Sequence, residues 1–316
     1  MAVSVSSAIL NIEPIDLEYA GLSKDLLKDE VALITGAASN IGLGYARAIA
    51  WAGGKTIIAD INERAGTETE CVINEESGRD MALFVKCDVT QKKDIEDLAE
   101  KSIAKFGKVD ILINNAMNVG LTGPVLGASL NDLEIAYSLS GRAVMLTILK
   151  FVPEMLARNH GTVVFSSSQF HYSPPLVGGA MYCAGKAIGS SITMSLANEV
   201  NGTSVNVFCL TPAGVVRFDA NRQPRNQEHA DQPMPSMPGF NGMIPPEAAG
   251  AAMVYCLMNA STLHGSGISV IDAFNAMGYP YPNPATVGKT PSRRLTDREL
   301  TLVLMNMGPG FSEFNE

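Results

Sequence analysis

The sequence predicts an α/β fold in which a doubly wound sheet of six or seven parallel strands carries helices on both faces. From Val31 onward, short β-branched runs alternate with longer stretches of helical period, which is typical of strand–helix–strand units. Most of the short runs are almost continuously apolar, as expected of parallel strands that are buried on both faces. We expect the strands at residues 30–35, 56–60, 82–87, 109–113, 162–167, 204–210 and 268–271. We expect the helices at residues 41–52, 64–77, 93–106, 130–158, 178–200 and 246–258.

Glycines follow four of the predicted helices. Gly53, Gly78, Gly107 and Gly161 each stand where the cap of a helix favours a positive φ. These four positions support the predicted helix ends.

The rhythm of strands and helices fits a single domain over residues 30–275, with extensions at 1–29 and 276–316. Residues 219–246 interrupt this rhythm, because they are rich in Asn, Gln, Pro and Met and contain no periodic run. Long irregular segments inside compact domains often cover binding sites, so we expect a substrate loop here.

The composition disfavours several classes of protein. The 316 residues are 46% apolar and 17% charged, which is typical of a globular chain. A net charge of −9 disfavours nucleic acid as a partner, and neither a basic block nor a long apolar run indicates a membrane. Five scattered cysteines without a CxxC motif predict a reduced, cytoplasmic protein, and the spacing of the four histidines predicts no metal site.

A glycine-rich loop follows the first predicted strand. Gly36, Gly42 and Gly44 lack Cβ atoms, which allows a pyrophosphate to approach the backbone where the next helix begins. The order of strand, loop and helix predicts a dinucleotide site of the Rossmann type.

The second predicted strand ends at Asp60. An acidic side chain at this place accepts hydrogen bonds from the adenosine ribose and repels a 2′-phosphate, so NAD is favoured over NADP. No arginine or lysine between Gly36 and Tyr45 would compensate a phosphate. The alternative is that Asp60 only caps the following helix.

Several motifs follow one another between Glu30 and Asp272. They are the loop 35–44, Asp88-Val89, Asn114-Asn115-Ala116-Met117, Ser166-Ser167-Ser168 and the pair Tyr182 and Lys186. With these motifs the chain resembles the classical type of the short-chain dehydrogenase/reductase superfamily over most of its length. The resemblance implies an NAD cofactor in contact with Gly36, Ser39, Asn40, Ile41, Gly42, Asp60, Ile61, Asp88, Val89, Asn115, Ala116, Tyr182, Lys186, Pro212 and Val215. It also implies a homodimer or homotetramer with contacts through the helices at 130–158 and 178–200.

Tyr182 and Lys186 form the predicted acid/base pair. A proton must move at the carbinol oxygen during hydride transfer, and tyrosine can move it only if its pKa falls from about 10 towards neutrality. A lysine four residues later lies on the same face of a helix, where its positive charge favours the tyrosinate.

Two serines complete the predicted catalytic group. Ser168 ends the fifth predicted strand and would hydrogen-bond the substrate oxygen, although it lies one residue farther from Tyr182 than is usual in the family. Ser167 is the alternative. The resemblance places Ser138 where the family often has an asparagine that supports a water relay to the lysine.

Other positions depart from the family pattern. Asn40 and Met117 each replace a glycine, and Pro212 is followed by alanine, with Arg217 near the place of a threonine. Asp272-Ala273-Phe274 replaces the terminal DGG of the family, which bears on the usual dimer contact.

These features predict an NAD(H)-dependent oxidoreductase that interconverts a secondary alcohol and a ketone. Methionines and a phenylalanine in the 219–246 segment suit an apolar pocket, and a bulky alicyclic substrate such as a steroid or bile acid fits this composition. The alternative is a non-catalytic NAD-binding or scaffold protein with the same fold. An epimerase or dehydratase of the extended family is disfavoured by the compact spacing of the motifs.

Overall fold

The computed structural model describes residues 15–118, 121, 125–168, 179–212 and 246–278. The first fourteen residues, nearly all of the predicted substrate loop at 219–246, and residues 279–316 lie outside the described residues. Val215 and Arg217 lie outside them as well.

The fold is a doubly wound α/β sheet, as predicted. Its seven strands are parallel and lie in the order β3-β2-β1-β4-β5-β6-β7. The strands are β1 Val31–Thr35, β2 Lys55–Asp60, β3 Ala82–Lys86, β4 Ile111–Asn114, β5 Gly161–Ser166, β6 Val205–Thr211 and β7 Gly267–Ser269.

Helices cover both faces of this sheet. Within the described residues they are α1 Asn40–Trp51, α2 Glu63–Ser77, α3 Lys92–Phe106, α4 Leu130–Tyr137, α5 Ala143–Arg158, α6 Ala180–Glu199, α7 Pro246–Met258, α8 Ala260–Leu263 and α9 Val270–Met277. One apolar cluster joins the sheet to α1, α7 and α9, and a second joins its other face to α3, α5 and α6.

The strand order positions a crevice in the middle of the sheet. The chain runs outward from β1 to β3 and then crosses back to β4, so that β1 pairs with both β2 and β4. In open parallel sheets, ligands bind beyond the carboxyl ends of the strands at this point of reversal.

The predicted helix at 130–158 is interrupted. A π-helical turn, Ser138–Arg142, separates α4 from α5. By length and composition alone, Leu130–Arg158 could cross a membrane, a criterion that the core helix of a soluble protein also meets. Half of its most apolar window is buried in the protein, as in the core helix of a soluble protein.

Three of the four predicted glycine caps have the expected conformation, with φ of 88° at Gly53, 63° at Gly78 and 80° at Gly107. The prediction for Gly161 is wrong, because Asn159 caps α5 with φ of 49° and Gly161 begins β5. A Cβ on Gly161 would lie 2.7 Å from Cγ of Met155, so packing requires this glycine.

The last predicted strand, 268–271, is also partly wrong. Strand β7 ends at Ser269, whose hydroxyl accepts a hydrogen bond from the Asp272 amide, while the Asp272 carboxylate accepts one from the Ser269 amide. This capping box begins α9 at Val270. Asp272 is therefore a helix-capping residue, and Ala273 and Phe274 lie in the core.

Candidate active site

A cleft of about 540 Å³ lies at the carboxyl ends of the central strands. All the described residues of the predicted cofactor set line it, namely Gly36, Ser39, Asn40, Ile41, Gly42, Asp60, Ile61, Asp88, Val89, Asn115, Ala116, Tyr182, Lys186 and Pro212. The structure thus brings together side chains that are far apart in the sequence.

The glycine loop closes around one asparagine. The Asn115 side-chain amide donates hydrogen bonds to the carbonyls of Thr35, at 3.0 Å, and Gly36, at 3.2 Å. A Cβ on Gly42 would lie 2.2 Å from the Gly36 carbonyl oxygen, so this turn requires glycine. Asn40 adopts a left-handed φ of 48°, a conformation that asparagine tolerates better than most residues, which explains why it can replace a glycine.

Gly44 has a different role from the one predicted. It does not belong to the cleft wall, and a Cβ there would lie 1.9 Å from the carbonyl oxygen of Pro246. Gly44 therefore allows α1 and α7 to touch backbone to backbone, and its missing Cβ does not serve the approach of a phosphate.

The Asp60 carboxylate faces the glycine loop. One oxygen accepts a hydrogen bond from the Ala38 amide at 3.0 Å, and the other accepts one from the Asn62 amide at 2.9 Å. The alternative role as helix cap is filled by Asn62, which accepts a hydrogen bond from the Ala65 amide. Beside Asp60, the Ile61 side chain is 65% exposed at the edge of the cleft.

Asp88 and Val89 form the neighbouring wall. The Asp88 carboxylate accepts hydrogen bonds from the amide and the hydroxyl of Thr90, which fixes the turn after β3. Val89 is buried and presents an apolar surface to the cleft.

Tyr182 and Lys186 line the cleft from α6. The Lys186 side chain is buried, and its Nζ donates a hydrogen bond to the Ser166 carbonyl at 2.5 Å. This nitrogen lies 5.2 Å from the centroid of the Phe165 ring and 5.9 Å from that of the Tyr182 ring. Burial lowers the pKa of Lys186 to about 8, because the charged form loses its hydration.

The serines at the end of β5 face different surroundings. Ser166 and Ser167 belong to the cleft wall, and the hydroxyl of Ser167 shares a 2.8 Å hydrogen bond with that of Ser190. Ser168 is buried and is the last described residue before the gap at 169–178. The choice of Ser168 over Ser167 stays a prediction.

Ser138 is half-buried and begins the π-helical turn. Its neighbour Leu139 lines the cleft, and Ser138 is not among the described lining residues. The role of Ser138 in a proton relay stays a prediction.

Sequence reasoning did not select several residues of the cleft wall. They are Ala59, Cys87, Met117, Asn118, Leu139 and Ser166. All except Leu139 stand at or just after the carboxyl end of a strand, which is the signal that could have identified them. Burial raises the pKa of the Cys87 thiol to about 12, so this group remains neutral.

The fold and this cleft define a dinucleotide-binding type of α/β protein, and comparison with known proteins identifies the family. Residues 30–229 match the family described as short chain dehydrogenase. The chain therefore belongs to the short-chain dehydrogenase/reductase family of oxidoreductases.

Similar proteins span most of the chain. Tropinone reductase-like 1 of Erythroxylum coca is 28% identical over 262 residues, which cover 82% of this chain and 93% of the relative. The 7alpha-hydroxysteroid dehydrogenase of Escherichia coli (strain K12) is 28% identical over 77% of this chain and 93% of its own length. A 7 alpha-hydroxysteroid dehydrogenase solved with NADH and 7-oxo glycochenodeoxycholic acid superimposes with a TM-score of 0.67 at 25% identity, covering 82% and 98% of the two chains.

Proposed function

We propose that the protein is an NAD(H)-dependent oxidoreductase that interconverts a secondary alcohol and a ketone, with Tyr182 as the acid/base. The observation that carries this proposal is the position of Lys186. Its buried amine lies 5.9 Å from the centroid of the Tyr182 ring, in the wall of the cleft that also contains the glycine loop and Asp60. Nucleotide-binding groups and a proton-transfer group therefore face one cavity.

The cleft fits a nicotinamide dinucleotide. Gly36 and Gly42 allow the tight turn that brings the loop to the start of α1, where a pyrophosphate would find amide donors. The exposed side chain of Ile61 offers an apolar surface to a base, and Asp60 offers acceptors to ribose hydroxyls. Once bound, such a cofactor supplies or accepts the hydride.

The residues of the chain handle the proton. In ketone reduction the Tyr182 hydroxyl donates its proton to the carbonyl oxygen, and in alcohol oxidation the tyrosinate accepts it. Lys186 is mainly protonated at pH 7, because its pKa of about 8 lies above that pH. Its positive charge therefore favours the tyrosinate, and Ser168 hydrogen-bonds the same substrate oxygen. Ser138 would hold a water on the route of the proton.

Asp60 supports NAD over NADP. We expect the Asp60→Ala variant to bind NADH about ten- to hundredfold more weakly, because hydrogen bonds to the ribose hydroxyls are lost. The same change removes the repulsion of a 2′-phosphate, so the ratio of NADPH to NADH affinity should rise. Calorimetric titration with both cofactors measures this ratio.

Glu63→Gln is the control for this prediction. Glu63 is an exposed carboxylate near Asp60 that pairs with Lys86 outside the cleft wall. Its loss should leave the cofactor ratio nearly unchanged. Wild-type protein that binds NADPH more tightly than NADH would contradict the role of Asp60.

A bulky cyclic alcohol or ketone, such as a steroid or bile acid, is the proposed substrate. The similarity to 7alpha-hydroxysteroid dehydrogenase and to tropinone reductase-like 1 supports a cyclic substrate. Met234, Met237, Phe240 and Met243 would line its pocket, and they lie outside the described residues.

The direct test is a panel of ketones and alcohols with NADH and NAD, read by nicotinamide absorbance. The panel includes oxo- and hydroxysteroids, bile acids, tropane ketones and sugar alcohols. Turnover of a steroid or bile acid supports the proposal. Turnover restricted to sugar alcohols would contradict the proposed substrate class. It would still agree with the proposed interconversion of an alcohol and a ketone.

We also propose a homodimer or homotetramer that forms through the helices at 130–158 and 178–200, with α4 and α5 at the centre of the contact. Apolar side chains on these helices are exposed, among them Leu130 at 81% and Leu149 at 65%. Exposed apolar clusters of this kind mark interaction surfaces. None of the five cysteines forms a disulfide, and only Cys71 is exposed, which supports the proposed cytoplasmic location.

Leu149→Glu should produce monomers, because a carboxylate in the centre of an apolar interface would be buried without a partner. Light scattering after size exclusion measures the mass. Ile103→Glu, at an exposed apolar position on α3, is the matched control and should keep the wild-type mass. An unchanged oligomer in Leu149→Glu would show that α5 is not the interface.

A further inference from the structure

Met117 lies between the π-helical turn and the helix that carries Tyr182 and Lys186. It follows β4, is half-buried and forms part of the cleft wall. Its sulfur accepts a hydrogen bond from the buried Ser140 hydroxyl at 3.3 Å. Its methyl group, Cε, lies 3.1 Å from the position that a Cβ on Gly185 would take.

The space around Gly185 is filled. A Cβ there would also lie 3.2 Å from Oγ of Ser140 and 3.4 Å from the carbonyl oxygen of Ala136. Gly185 stands between Tyr182 and Lys186, so α6 packs against α4 and the π-helical turn at the catalytic pair. Among the groups in this contact, Met117 is the long, flexible one, and a thioether adapts well to an irregular gap.

We propose that Met117 is a positioning residue that wedges between the π-helical turn and α6, fixes the Tyr182–Lys186 pair and keeps water from that side of α6. The inference rests on the proposed function, because it assigns Met117 a role in the same proton-transfer site. Removing its side chain would leave a void beside Gly185, into which α6 can shift or water can enter.

The surroundings of Lys186 supply a readout for this role. The amine faces the Ser166 carbonyl and the Phe165 ring from β5, Tyr182 from its own helix and Cys209 from β6. Burial raises the pKa of the Cys209 thiol to about 11, so this neighbour is neutral. Burial is also the main cause of the low pKa of Lys186, so water admitted by the loss of Met117 would raise that pKa towards 10.5.

The test compares Met117→Ala with Met117→Leu in the full-length protein. Lysine labelled with ¹³C at Cε is titrated by NMR, and the Lys186 signal is assigned by its loss in Lys186→Met. We expect Met117→Ala to raise the pKa of Lys186 by about one unit. It should also lower kcat by about ten- to hundredfold through misplacement of Tyr182. Met117→Leu keeps the volume and should restore most of both properties.

Met155→Ala is the matched control. Met155 is a buried methionine on α5 that also packs against a glycine, Gly161, and it is not part of the cleft wall. Its truncation should lower stability and leave the pKa of Lys186 unchanged. If Met117→Ala behaves like Met155→Ala, with pKa and kcat unchanged, Met117 is a core residue only and the proposal is wrong. The titration needs no turnover, so an inactive wild-type protein would defeat the proposed function without deciding the role of Met117.

Discussion

Replacing Tyr182 by phenylalanine should lower kcat/KM by about 10²- to 10⁴-fold, which is the usual contribution of a positioned acid or base. The change removes the only atom of this side chain that can exchange a proton with the substrate oxygen. The ring stays in the cleft wall beside Lys186, so the affinity for NADH should change by less than about threefold. Steady-state kinetics on the best substrate of the panel, together with calorimetry of NADH, separates the two effects.

Tyr45→Phe is the matched control for this loss. Tyr45 lies on α1, is fully buried and stands outside the cleft wall. Its variant should keep wild-type kinetics. Undiminished turnover in Tyr182→Phe would remove Tyr182 from the chemistry, whereas wild-type protein that binds NADH and turns over no member of the panel would favour the non-catalytic alternative.

The Lys186→Met variant should lose activity and gain stability. Folding lowers the pKa of this lysine from 10.5 to about 8, so holding it charged at pH 7 costs about 3 kcal/mol, at 1.36 kcal/mol per pKa unit. Methionine fills a similar space without a charge, but the Ser166 carbonyl loses its donor. We therefore expect the free energy of unfolding at pH 7 to rise by about 1–3 kcal/mol. We expect kcat/KM to fall by at least about 10²-fold, because the proposed acid/base would lose the neighbouring positive charge that favours the tyrosinate.

The stability difference between wild type and Lys186→Met should depend on pH. Between the folded pKa of about 8 and the unfolded value of 10.5, the unfolded chain binds more protons than the folded chain. The free energy of unfolding of the wild type therefore rises with pH across this window, and its deficit relative to Lys186→Met shrinks. Urea denaturation at pH 7 and at pH 10 measures both proteins.

Lys150→Met serves as the control, because Lys150 is exposed on α5. It should show neither the gain in stability nor the change with pH. The difference in free energy of unfolding between wild type and Lys186→Met should shrink with pH. If it stays constant from pH 7 to pH 10, the charge of Lys186 is not buried as assigned.

Much of the fold follows from local sequence. The apolar runs predict six strands to within one or two residues of their observed bounds. They do so because a parallel strand that is buried on both faces must be almost entirely apolar. The seventh strand ends two residues earlier than predicted. Ile268 to Ile271 reads as a β-branched run, yet the hydrogen bonds between Ser269 and Asp272 begin a helix there.

The cleft was predictable where a residue's role depends on its place after a strand or on helical spacing. Gly36, Asp60 and the pair Tyr182 and Lys186 are of this kind, and they line one cleft. The packing role of Met117 and the true role of Gly44 were not predictable in this way. Both depend on which distant element packs against them, namely α6 for Met117 and α7 for Gly44, and periodicity carries no information about such contacts.

The contact between Gly44 and Pro246 fixes the point at which the chain returns to the described structure. The chain leaves the cleft at Pro212 and re-enters the described structure at Pro246, which rests directly on the backbone of the nucleotide-binding helix α1. One end of the intervening stretch thus lies in the cleft wall and the other against the helix beside the glycine loop. An insertion or deletion between these two ends would leave both contacts, and the loop at Gly36–Gly42, in place. The architecture thus separates the cofactor-binding part of the fold from a segment whose length can vary.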